Sequence, residues 1–222
     1  MHDKLVIWGA AGHASVVADI VRLEDRFEIV GFLDDEQPQR RGSPFCGSQI
    51  LGGAEQLAAL RREGIENLIV AFGHCRARLA AAERARAAGF KLPSAVHPRA
   101  VLAGGLAVGA GTAVMAGVVV NPGATIGENV IVNTNATIEH ECIIEAGAHL
   151  CPRSVLGGKV RIGRAAWVGI GATVREKIVV GADSIIGAGA VVVADVPDRA
   201  VVFGVPAIVQ RYLEPHALEK RP

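Results

Sequence analysis

Aromatic residues are scarce in this 222-residue chain: six Phe, two Trp and one Tyr. A core of packed rings is excluded. Half of the residues are hydrophobic, so the interior must be built from Val, Ile, Leu and Ala. An excess of either charge is also lacking, with 23 Lys and Arg against 22 Asp and Glu. The chain therefore carries no electrostatic footprint for nucleic acid. The four cysteines, Cys46, Cys75, Cys142 and Cys151, contain no Cys-x-x-Cys pair, which leaves zinc and dithiol motifs unsupported. Free thiols, no secretory signal and a cytoplasmic location are expected. One uncharged run, Val101 to Val120, is long enough to span a bilayer. It holds five glycines, and a six-residue pattern runs through it into charged sequence, so no membrane segment is expected.

What the chain has instead is glycine, 27 in all, and a repeat. Stepping by six from Val96 to Val192 meets Val, Ile or Leu at every one of seventeen positions. With about one aliphatic residue in three, chance gives such a run with odds on the order of one in a hundred million. Four residues after each lies a position that is usually small, as at Ala124, Ala136, Cys142, Ser154 and Ala166. Period six fits neither a helix at 3.6 nor a plain strand at 2. It fits short extended segments joined by tight turns and stacked as a solenoid, with the aliphatic residue inward on every side. Glycine after the aliphatic residue, as at Gly157 and Gly169, is expected to meet the unusual φ of the turns.

The first part reads differently. Strands are expected at Lys4–Trp8, Glu28–Leu33 and Asn67–Phe72, and helices at Ala14–Leu23, Ala54–Glu63 and Arg76–Gly89. This alternation predicts a small parallel sheet. The first strand runs into Gly9-Ala10-Ala11-Gly12-His13, a turn whose backbone N–H groups and following helix N-terminus suit a phosphate. It is not a full dinucleotide fingerprint, because Ala11 stands where the second glycine would be. Asp34 and Asp35 close the second strand, where acids meet a ribose or base.

The runs GAAGH, FLDD and AFG, the hexads and the closing Gly204–Ile208 resemble the bacterial sugar-nucleotide acetyltransferases with hexapeptide repeats, from Lys4 to about Ile208. These include the sialic acid O-acetyltransferase and UDP-4-amino-sugar N-acetyltransferase types. The resemblance implies a Rossmann-like nucleotide-sugar domain over 1–92, a left-handed parallel β-helix binding acetyl-CoA over 93–198, and a tail over 199–222. The general crossover rule alone would have favoured the right hand. It implies homotrimers with active sites between neighbouring β-helices. It also implies acetyl transfer from acetyl-CoA, a co-substrate, to the amino group of a UDP- or GDP-linked amino sugar, with no metal.

The string Ile138-Glu139-His140-Glu141-Cys142 matches the family's catalytic segment. The resemblance implies His140 as general base and Glu141 as the carboxylate that raises its basicity. An imidazole suits this because its ordinary pKa lies near working pH. Adjacent residues of an extended segment point to opposite faces, so their contact requires a turn. His149, Ile170 and Ala188 match positions that contact acetyl-CoA, and Gly158 a backbone donor to the thioester oxygen. Ala11, Gly12, His13, Asp34, Asp35 and Gly73 match nucleotide-sugar positions. Read from hexad phase, His140 and His149 do not point into the core and are expected to be exposed, whereas Cys142 occupies an inward small position and is core rather than nucleophile. His74 follows a strand and could line the nucleotide site; His2, His97 and His216 read as solvated. O-acetylation of a sialic-acid-like sugar is the alternative activity. A zinc hydratase using His97, His140 and His149 has no ligand spacing in its favour, at 43 and 9 residues. A non-catalytic nucleotide scaffold would bind no CoA.

Overall fold

The computed structural model describes residues 2–214; the last eight positions of the expected tail, His216 among them, lie outside the described residues. The N-terminal unit is a five-stranded sheet. Its strands are β1 (Asp3–Trp8), β2 (Phe27–Leu33), β3 (Pro44–Phe45), β4 (Ser48–Gly52) and β5 (Asn67–Val70), in the order β3-β4-β2-β1-β5. All neighbours are parallel except β3 and β4. Helices α1 (Gly12–Glu24), α2 (Leu57–Arg62) and α3 (Cys75–Ala87) connect them. The hairpin of β3 and β4 is an addition to the elements expected from sequence, because Pro44 and Gly47 break the run and only Ile50 of it is buried in the core. The expected helix at 54–63 is one 3-10 turn, Ala54–Gln56, followed by the short α2.

Alternation along β1 decides what packs where. Leu5 and Ile7 face α1, meeting Ala14, Val17, Ile20 and Val21. Val6 and Trp8 face α2 and α3, meeting Leu57, Leu60, Ala82 and Ala85. The first cluster does not end at the domain edge. Ala95, Ala113, Met115 and Ile131 of the second unit complete it, so α1 lies between the sheet and the solenoid.

That second unit is a three-sided parallel β-helix of two-residue strands. Its first face runs from Ala95–Val96 through Ala113–Val114, Ile131–Val132, His149–Leu150 and Trp167–Val168 to Ile185–Ile186. The second runs from Val101–Leu102 through Val119–Val120, Thr137–Ile138, Val155–Leu156 and Thr173–Val174 to Val191–Val192. The third holds Thr125–Ile126, Ile143–Ile144, Arg161–Ile162 and Val179–Val180. Partners are one 18-residue coil apart, as in Ile138 with Leu156. Of the seventeen inward positions, Val108 alone lies outside a two-residue strand, reaching Ile126 as an isolated bridge. The hexad aliphatics and their small companions, Cys142 included, form one continuous buried column. The apolar run at Val101–Val120 is thus coil wall, and among the described residues no helix is long and apolar enough to cross a membrane.

Glycines directly after the aliphatic residue act for a reason other than the expected one. The left-handed conformation falls three places after the inward aliphatic, where glycine at positions such as Gly117 and Gly171 does meet the positive φ, but Asn135, Glu141, Arg153, Lys159, Lys177 and Asp183 adopt it too, with φ between 57° and 62°. Glycines directly after the aliphatic residue are needed because the coils touch there. A Cβ on Gly157 would lie 2.6 Å from Glu176 N, and one on Gly169 2.6 Å from Ile186 O. The first part of the expected 199–222 tail is strand. Ala200–Gly204 pairs with Ile185–Ile186, and Ala207–Tyr212 folds back antiparallel to close the end of the solenoid.

Candidate active site

A cavity of about 590 Å³ opens between the two units. Two helix N-termini face it. Ala11, the N-cap of α1, offers no side-chain cap, so the first N–H groups of α1 stay available. Residues 74–77 at the start of α3 line the opposite wall. The open α1 N-terminus, with Arg40 and Arg76 lining the same cavity, suits a diphosphate, whereas at α3 the His74 ring already accepts from the Ala77 N–H. Gly9 is fixed by packing, since a Cβ there would lie 2.4 Å from Ala71 O. Gly12 meets nothing within 4 Å, so the space in front of it is open.

The expected nucleotide residues converge here, but the acids are not free. Asp34 Oδ1 accepts from the N–H groups of Glu36 and Gln37, and its Oδ2 from Arg40 Nη1 at 2.9 Å. Asp35 Oδ2 accepts from the Trp8 indole at 2.8 Å and its Oδ1 from Ala54 N. They organise the cavity wall and keep their remaining lone pairs for a ligand. Arg40, Arg76, Trp8 and Trp167 also line the cavity. Nothing in the sequence marks Arg40; Arg76, a cation one residue into a helix after Gly73-His74, could have been flagged.

Helix α3 anchors the cavity to the solenoid. The Arg76 guanidinium pairs with the buried Asp183 carboxylate through both oxygens. Arg78 is 1% exposed and has no carboxylate partner among the described residues. Its N–H groups donate to the carbonyls of Phe72, Gly73, Asn129, Gly147 and Ala148. His149 is corrected here: it is 5% exposed, not solvated. Although outward on its strand, it is covered by the N-terminal unit. Its ring lies 4.3 Å from Trp167 and 6.4 Å from His13, and Nε2 is 3.2 Å from Asn133 Nδ2. His149 Nδ1, beside the Gly73 backbone but in no well-formed hydrogen bond, and His13 Nε2 are buried without partners among the described residues. Burial first, then the Arg78 charge, pushes His13 down to about 4 and His149 to about 3.

His140 lies elsewhere, at the corner between the second and third faces. The turn it required is present: Glu141 has φ 59°, which swings its carboxylate to 3.0 Å from His140 Nδ1. His140 is exposed, as expected. Gly158 stacks one coil further on, where a Cβ would fall 2.6 Å from His140 Nε2 and would push the ring out of its present place. The Gly158 N–H has no acceptor among the described residues. Lys159 Nζ is 3.5 Å from the same Glu141 oxygen that faces the imidazole. The imidazole contact, then the Lys159 charge, hold the Glu141 carboxyl below its ordinary range. Cys142 is fully buried, its thiol donating to Gly157 O and pushed up by burial, which suits packing and not nucleophilic attack. Among the described residues no group of three or more His, Cys, Asp or Glu could hold a metal.

The acetyl-CoA positions are spread out. Ile170 and Ala188 are exposed at the corner between the first and second faces. Gly158 sits at the next corner, a six-residue side away, at most about 20 Å at 3.3 Å per residue. The cavity adjoins the first face, across the triangle from His140.

Comparisons with known proteins identify the family. Residues 4–85 match the family described as PglD N-terminal domain, and 123–158 and 159–194 match the bacterial transferase hexapeptide family (six repeats). PerB from Caulobacter crescentus, solved in complex with CoA and GDP-perosamine, is 39% identical, with 94% of this chain and 97% of that chain covered and a TM-score of 0.89. A histidine-to-asparagine mutant of the same organism's perosamine N-acetyltransferase superposes with a TM-score of 0.90 at equal identity and coverage. The acetyltransferase domain of PglB from Neisseria gonorrhoeae, in complex with acetyl coenzyme A, is 39% identical over 94% of this chain and all of that chain, with a TM-score of 0.87. A galactoside O-acetyltransferase from Lactococcus lactis is 43% identical over 53 residues, 24% of this chain and 26% of that protein. The solenoid is accordingly the left-handed β-helix of these enzymes, and the chain belongs to the hexapeptide-repeat sugar-nucleotide acetyltransferases.

Proposed function

We propose that this enzyme moves acetyl from acetyl-CoA to the amino group of a GDP-linked amino sugar, by direct attack in a ternary complex. The observation that carries it is the similarity along nearly the whole chain to an N-acetyltransferase holding CoA and GDP-perosamine, together with the His140–Glu141 pair. Glu141 accepts from Nδ1–H and leaves the Nε2 lone pair outward over Gly158. The amine nitrogen attacks the thioester carbon while Nε2 takes its proton. The oxygen that becomes negative is met by the Gly158 N–H. Collapse breaks the C–S bond, and the imidazolium proton passes to the CoA sulfur.

The acting unit is a homotrimer. In one chain the nucleotide cavity and His140 face opposite ways, so sugar and base meet only if the cavity of one subunit is served by the corner of a neighbour. Outward positions on the two uncovered faces supply apolar contact surface: Val101, Ile143, Val155 and Val179 are 64%, 44%, 37% and 45% exposed. Four free thiols fit the reducing cytoplasm, where acetyl-CoA and nucleotide sugars are at hand.

The test is CoA release on GDP- and UDP-linked 4-amino sugars, against hydroxy sugars, with His140→Ala. The native protein is expected to prefer the GDP-linked amine, and His140→Ala to lose about a hundredfold or more in kcat/KM. Near-native turnover by the variant removes His140 as the base. Turnover of the hydroxy sugar alone makes the protein an O-acetyltransferase.

A further inference from the structure

We propose that Lys159 is a positioning residue for acetyl transfer, its ammonium holding the Glu141 carboxylate in the place where one oxygen faces His140 Nδ1. This rests on the reading of His140 as the base. The geometry is a shared oxygen: Glu141 Oε2 is 3.0 Å from the imidazole and 3.5 Å from Lys159 Nζ. The two residues stack because both occupy the left-handed corner position, one coil apart, at φ 59° and 62°. The Lys159 N–H also donates to His140 O at 2.9 Å, so backbone and side chain of one residue grip the catalytic turn from the coil beyond.

A carboxylate on a half-exposed corner has many rotamers, and only one of them orients the imidazole. A cation on the same oxygen selects that one and keeps the carboxyl ionised. Other charged groups near the corner do not compete. Glu139 is taken up by Asn121 Nδ2 at 2.9 Å, and the Cys142 thiol is buried and neutral. Glu176 and Lys177 lie on the following coil, where the Lys177 N–H binds Gly158 O.

Lys159→Met and Lys159→Arg, alone and with Glu141→Gln, provide the experiment. Lys159→Met is expected to lower kcat about three- to tenfold at pH 7, with both KM values within about twofold of native. Loss of the ammonium removes one of the charges that keep the Glu141 carboxyl ionised, so the acidic limb of kcat/KM moves to higher pH. Lys159→Arg restores both properties. In the Glu141→Gln background, Lys159→Met costs nothing further. Additive losses, an unmoved acidic limb, or a rise confined to the acetyl-CoA KM, as a plain phosphate contact would give, overturn the proposal. Near-native His140→Ala turnover instead overturns the reading beneath it; an inactive His140→Ala with additive Lys159→Met overturns the positioning role alone.

Discussion

His13 and His149 are imidazoles held away from water, facing the buried Arg78 guanidinium. Both stay neutral in the folded chain, at about 4 and about 3 against an unfolded value of 6.5. Below pH 6.5 the unfolded chain takes up protons that the folded chain refuses. The stability these rings permit is therefore complete above pH 6.5 and lost as pH falls toward 4. At pH 5 each is expected to cost about 1–2 kcal/mol, seen as a steeper fall of Tm between pH 6.5 and 5 in the native protein than in His13→Asn or His149→Asn. Parallel melting curves in all three would sink this account. The burial of His149 is illegible in the sequence. Hexad phase says that a side chain points out of the solenoid, not that another domain covers it. The pairing of His140 with Glu141 is legible only through resemblance, because a glutamate with positive φ leaves no mark in composition.

At the scale of elements, period six is the most legible feature, and the inward column from Val96 to Val192 follows it directly. The purpose of the glycines directly after the aliphatic residue is not legible. Sequence separates a glycine demanded by φ from one demanded by a neighbouring backbone only once the coils are stacked. Helix α3 is equally legible as a helix and illegible as a joint. Arg78 reads as an ordinary surface cation, yet it ties the turn after β5 at Phe72–Gly73 to two coils through five carbonyls. Arg78→Met keeps most of the volume and strips those carbonyls of their donor. The expected loss is about 3 kcal/mol, lowering Tm by roughly 6–12 °C for a chain of this length. Thermal unfolding of the variant checks it; a fall below about 2 °C would make the guanidinium dispensable.

The whole molecule explains its own composition. Trp167 is the one aromatic residue between Val96 and Pro197, and it sits on the outside, against His149 and the cavity. The solenoid interior has no room for rings, so the aromatics gather in the α/β unit and at the closing hairpin. On the proposed reading the same division sets the catalytic arrangement: the nucleotide sugar lies in the cavity between the units, the base at the far corner of the solenoid, and one chain alone is not a complete site. Two defective chains should therefore repair each other. His140→Ala keeps the cavity and loses the base; Gly12→Val fills the open space before α1 and keeps the base. Each alone is expected to be nearly inactive. Co-expressed in equal amounts, chance pairing gives one intact cavity beside one intact base at about a quarter of the interfaces in a closed ring. Activity near a quarter of native, appearing only when subunits assemble together and not on mixing preformed oligomers, is the expected result. No recovery in verified mixed oligomers would mean that each chain reaches its own His140.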